Sequence, residues 1–197
     1  MTEELEVEVN PNKPELGNKK VTFSKEIYIE KEDFMLDPPG KYFRLCPAKE
    51  VRLKGAYFIK YASLETDEKG NITAVHCTYD PATRGGDAPD GRKVKGTIHW
   101  VSAKTAKKAT VRLYDRLFMV ENPSDEEGVS SFADNLNPNS LEVLKGALIE
   151  RDVANAKPGD VFQFMRQGYF TVDPDTTEDE IIINRTVALK DSFNIKK

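Results

Sequence analysis

The sequence is poor in the side chains that build redox and metal centres, with two cysteines and two histidines among 197 residues. Cys46 and Cys77 lie far apart and form no C-x-x-C pair, which fits reduced thiols in a cytosolic protein better than a disulfide framework. His76 and Cys77 are adjacent, and neighbours on a strand point to opposite faces, so they are badly placed to share a metal; His99 beside Trp100 is isolated. Nucleophile and phosphate motifs are missing too: there is no Walker A loop, no G-x-G-x-x-G, no G-x-S-x-G and no H-E-x-x-H. Asp173 and Asp175 sit in DPDTTEDE, where aspartate is expected for turn geometry rather than acid-base work. Apolar runs such as Tyr57-Phe58-Ile59 fall far below the roughly 18 residues of a membrane-spanning helix. The opening MTEELEVEVN has neither a basic nor an apolar segment of the kind a secretory signal needs, so the expected compartment is the cytoplasm. An excess of positive charge is also lacking. Lys and Arg total 29 against 33 Asp and Glu, a net charge of -4, and bulk charge alone gives no support for a polyanionic partner.

What the chain does have is short alternating runs bounded by Pro, Gly, Asn and Asp, with almost no sustained three-four spacing. These predict a mainly β protein of roughly ten to twelve strands. In Glu50-Val51-Arg52-Leu53-Lys54, Val51 and Leu53 share one face while Arg52 and Lys54 share the other. The runs near 56–62 and 73–79, joined by Asp67-Glu68-Lys69-Gly70-Asn71, predict a hairpin. The Gly/Pro/Asp-rich stretch from Asp80 to Gly91 is the expected boundary between residues 1–91 and 92–197. Residues 1–20 carry Pro11 and Pro14 in an acidic lead expected to be extended rather than packed. Residues 121–139 are expected to form a long loop with at most a short helix.

Charge is unevenly placed. Acids gather at the N-terminus, in 121–134 and in 173–180, whereas Lys41, Arg44, Lys49, Arg52, Lys54 and Lys60 face only Glu50 between positions 41 and 60. From Arg92 to Arg116 basic residues dominate again. Tyr42, Phe43, Tyr57, Phe58 and Tyr61 interleave with the first stretch, a mixture that can pair phosphates and stack unpaired bases. On composition alone, a solvated strand face with core aromatics behind it is the commoner outcome of such alternation.

Several long strings carry a resemblance. NPNKPELGNKKVTFSKEIYIEKEDF, KEVRLKGAYFIKY, GNITAVHCTYDP, DGRKVKGTIHWVSA, VRLYDRLF, FQFMRQGYFTVD and INRTVALKD, in that order from about Asn10 to Asp191, resemble the C-terminal anticodon-binding region of the class I glutamyl/glutaminyl-tRNA synthetase family. DGRKVKGTIHWVSA and FQFMRQGYF look closer to its glutaminyl branch. The resemblance implies two β-barrels of the ribosomal protein L25-like type, with strands exchanged between them. It implies a module for the tRNA(Gln) anticodon stem-loop that does not itself aminoacylate and holds no cofactor, ATP belonging to a catalytic domain absent from this chain.

In this family the barrels splay the three anticodon bases outward and read each separately. By aligned motif, the resemblance places Arg44 in KYFRL at the third base, Arg52 in KEVRLK at the first, and Gln163 and Arg166 in FQFMRQGYF at the middle uracil. Lys41 and Lys54 resemble supporting contacts. The family often carries a basic residue where Phe43 stands, so this chain departs from the pattern at that contact, with stacking as the alternative a phenylalanine offers. Gln offers a donor and an acceptor to a Watson-Crick edge, and Arg offers a charge-assisted fork. Gln163 and Arg166 would face opposite sides of a regular strand, so serving one base requires a bend near Gln167-Gly168. Two other classes compete: an L25-like module for folded rRNA, against which the second barrel and the Gln163/Arg166 motif count, and a protein-interaction domain, which the net charge keeps alive.

Overall fold

Alternation in the sequence becomes thirteen strands in a computed structural model of the chain, which describes residues 2–124 and 131–189. They divide into two units, Met1–Thr105 and Ala106–Lys197. The first holds β1 (Thr2–Glu8), β2 (Asn18–Ser24), β3 (Ile27–Tyr28), β4 (Glu50–Leu53), β5 (Phe58–Thr66), β6 (Ile72–Asp80), β7 (Thr97–Ile98) and β8 (Val101–Ser102). Strands β1 and β2 pair antiparallel, β3 pairs with β8, and a four-stranded sheet runs β6-β5-β4-β7. Val51 and Leu53 are buried and Arg52 half-buried, as the alternation of β4 predicts. The β5–β6 hairpin forms on the expected turn, whose Asp67 Oδ1 accepts from the backbone N–H groups of Lys69 and Asn71.

Two expectations are corrected here. The acidic lead is packed: Glu4, Glu6 and Glu8 face solvent while Leu5 between them is buried in the core with Val51, Leu53, Tyr57 and Trp100, and Glu6 lies opposite Lys20. The boundary falls after Thr105 rather than at 91/92, because the chain beyond the 80–91 loop returns to the first unit, where β7 pairs parallel with β4. Of 92–102, only Thr97–Ile98 and Val101–Ser102 are strand; the rest has no regular secondary structure.

The second unit is one five-stranded sheet, built from β9 (Lys107–Tyr114), β10 (Leu141–Ile149), β11 (Val161–Phe164), β12 (Gly168–Val172) and β13 (Ile181–Val187) in the order β10-β9-β13-β12-β11. Strands β9 and β13 run parallel and the other pairs antiparallel. Its core joins Ala109, Val111, Ile149, Val153, Phe170 and Ile183. Each sheet draws its strands from one unit. The sheets are open in their pairings. Within 121–139, Phe132–Asn135 forms one short 3-10 helix capped by Ser131, and residues 125–130 lie outside the described residues, as do the last two positions of INRTVALKD.

Asp173 organises the loop between β12 and β13. It is buried, and its carboxylate accepts from Arg112 Nη1 at 2.9 Å, from the backbone of Asp175 at 2.8 Å and from the Asn184 side-chain amide. Those donors, led by the Asp175 backbone N–H, hold its carboxyl below the ordinary aspartate value. The turn reading of Asp173 and Asp175 stands.

Candidate functional site

The candidate residues of the first unit gather on the loop before β4 and on β4 itself. Phe34 and Leu45 form a parallel bridge, and Leu45 N–H donates to Asp33 O at 3.0 Å, so 40–46 lies alongside 31–36. Asp33 is fully buried, and its Oδ1 lies 3.4 Å from Arg44 Nε. Arg44 Nη1 donates to Glu32 O at 3.0 Å, and Tyr42 Oη donates to the same carbonyl at 2.9 Å. The guanidinium is therefore held from behind by an inward carboxylate and a backbone carbonyl while remaining partly open to solvent.

Phe43 lies between these two anchored residues and is 51% exposed. The ammonium groups of Lys49 and Lys95 each stand 5.8 Å from its ring centroid, and Lys49 Nζ also donates to Tyr42 O at 2.7 Å. The backbone here is pinned by Gly96. A Cβ at Gly96 would stand 2.3 Å from Phe43 O, so only glycine admits this approach, and Gly96 O accepts from Arg52 N–H at 2.8 Å. Gly96 thus has the Phe43 backbone on one side and Arg52 on the other.

Arg52 is already engaged. Its guanidinium stacks over Phe58 at 4.9 Å and its Nη2 contacts the Asp87 carboxylate, while Nε is buried without a hydrogen-bond partner. Arg92 stacks over the same ring at 5.6 Å and meets three carboxylates: Glu50 at 2.9 Å, Asp80 at 2.5 Å and Asp90 at 2.5 Å. Hydrogen bonding to Arg92 lowers the pKa of Asp80 and Asp90. The basic stretch starting at Arg92 is thus partly neutralised within the fold. Lys41 is exposed at a turn closed by Tyr42 N–H to Pro39 O. Lys54 is exposed just past β4, its N–H donating to Ile98 O and its carbonyl accepting from Trp100 Nε1 at 3.0 Å.

In the second unit, Gln163 is exposed on β11, directly opposite the exposed Tyr169 of β12. Arg166 sits in the Met165–Gln167 turn with φ 66°, the left-handed region. The bend required by the sequence argument is there, so strand alternation does not separate Arg166 from Gln163. Gly168 completes it with φ 141°, where a Cβ would meet Val187 O at 2.3 Å.

The structure thus brings the Phe43 backbone and Arg52 against Gly96, with Arg44 next to Phe43 in the chain, and Gln163 and Arg166 onto one hairpin of the other unit. Of the five interleaved aromatics, Tyr42, Tyr57 and Phe58 are buried and Tyr61 stacks on Phe34, which leaves Phe43 as the exposed ring. The sequence reading missed Asp33, Asp87, Lys95 and Tyr169: the first three are brought in by pairing between separate segments, whereas Tyr169, opposite Gln163 in the β11–β12 hairpin, was accessible from alternation.

A mainly β chain presenting arginines, an exposed ring and a glutamine on loops and strand faces has the make-up of a single-stranded RNA-binding module. Residues 1–80 match the family described as tRNA synthetases class I (E and Q), anti-codon binding domain, and residues 97–173 match a second family model of the same description. The chain belongs to this anticodon-binding family. Its relatives include the glutamine–tRNA ligase of Bradyrhizobium diazoefficiens, 50% identical over 98% of this chain and 34% of the relative. That of Clostridium perfringens is 51% identical over 99% of this chain and 35% of the relative, and that of Vibrio parahaemolyticus 50% over 97% and 34%. The chain spans about a third of the length of these relatives.

Proposed function

We propose that this chain reads the anticodon loop of a glutamine tRNA and supplies tRNA selection to an ATP-dependent glutamine–tRNA ligase whose catalytic domain lies outside it. In this reading Arg44 recognises the third anticodon base, Arg52 the first, and Gln163 with Arg166 the middle uracil, while Lys41 and Lys54 meet phosphates. The observation that carries it is the Arg44 loop. A guanidinium backed by a fully buried aspartate and set beside an exposed ring costs the fold a buried charge, and it gains its use from a ligand with both flat bases and negative charge. Glutamine–tRNA ligase relatives at about 50% identity across nearly the whole chain support the choice of tRNA.

The test is fluorescence anisotropy with an anticodon stem-loop carrying CUG and a variant carrying CCG, at two salt concentrations. Base reading predicts tighter binding to CUG by about tenfold or more, the discrimination of one good bidentate contact, and weaker binding of both at higher salt. Equal binding to the two loops overturns the middle-base assignment, and no binding at low salt overturns the reading as a whole.

A further inference from the structure

We infer that Phe43 is a stacking platform for one unpaired base of the bound RNA loop, with Lys49 and Lys95 beside it to take that nucleotide's phosphate. The inference rests on the RNA-reading function proposed above and adds residues that function does not use. An exposed phenylalanine by itself means little. This one is built into place: Tyr42 and Arg44 on either side are tied to Glu32 O, Tyr42 O is held by Lys49, and Phe43 O lies against Gly96. With both neighbours anchored, the backbone that carries the exposed ring is held, so less ordering entropy remains to be lost when a flat partner lands on it.

The surroundings select the partner's chemistry. Lys49 and Lys95 flank the ring and Arg44 follows it in the chain, so a neutral apolar protein surface would have to desolvate cations to reach Phe43. A nucleotide brings a flat face for the ring and an anion for the ammonium groups together. Stacking tolerates any base, so Phe43 contributes affinity and position, whereas Arg44 beside it discriminates.

The experiment is a cycle between protein variants and loops in which each loop nucleotide in turn is made abasic. Phe43→Ala and Phe43→Leu are each expected to weaken the intact stem-loop about tenfold, and Phe43→Trp to hold or improve binding. Removing the base that stacks should weaken wild type by a similar factor and cause no further loss in Phe43→Ala. Lys95→Ala should lower the salt slope by about one. Phe43→Leu binding like wild type, or losses that multiply at every abasic position, would overturn the platform while leaving anticodon reading intact. Failure of wild type to bind the intact loop would instead bring down the reading on which the platform rests. Thermal melts of the variants, expected to match wild type because the ring is half exposed, separate lost contact from lost fold.

Discussion

At the scale of single residues, the candidate arginines differ in what already holds them. Arg44 is braced by the buried Asp33 carboxylate, with the exposed Glu32 carboxylate 3.7 Å from its Nη1, whereas Arg52 is met directly by the exposed carboxylate of Asp87. Asp87→Ala is therefore expected to tighten RNA binding several-fold and steepen its salt dependence, with both effects vanishing in an Arg52→Ala background. Asp90→Ala is the charge-matched control, since Asp90 pairs with Arg92. Arg166 offers a complementary case. Its backbone occupies the left-handed region, which costs a non-glycine residue about 1 kcal/mol, so Arg166→Gly should leave the melting temperature unchanged or slightly raised while abolishing middle-base discrimination. A purely structural arginine would show the reverse, lost stability with recognition retained. Residue types were the legible part of this scale: arginine, glutamine and aromatics in basic runs. Their partners were not, because Asp33 reaches Arg44 and Asp87 reaches Arg52 only after separate segments pair.

Among elements, the parallel pairing of β4 with β7 does the most for the first site. It carries Gly96 past Arg52 and presses it against the Phe43 backbone. Gly96→Ala would drive a methyl into that carbonyl, a contact backbone cannot relieve cheaply, and should destabilise the first unit by about 1–3 kcal/mol while weakening RNA binding beyond what the lost stability explains. Denaturant melts alongside anisotropy would separate the two effects. Alternation made β4 and the β5–β6 hairpin legible because each has one wet and one dry face. The returning segment 92–102 was misread because its turn-rich approach marks a chain break equally well at a domain boundary or inside a unit. The acidic lead was misread for a related reason: one buried leucine among glutamates is enough to fasten a strand, and composition hides it.

For the whole molecule, the net charge of -4 and RNA binding are compatible because many acids are spent internally. Arg92 alone gathers Glu50, Asp80 and Asp90. In the second unit Asp173 has a lowered pKa, so its contribution to stability is present at neutral pH and is lost as pH falls through its native value, below the ordinary carboxylate range. Asp173→Asn should accordingly melt lower than wild type at pH 7, by about 2 kcal/mol of stability, with the gap closing as the solution is acidified. A gap independent of pH would mean that shape, not charge, is what Asp173 supplies. The meeting of Phe43 with Gly96 has a further consequence for how the protein is made. Roughly fifty residues separate the two, which at ribosomal speeds is about 3 to 10 s of synthesis. A nascent chain halted in the 80–91 loop would therefore have its early strands made, yet lack the residue that sets the aromatic loop, and that loop would be fixed only once Gly96 had emerged.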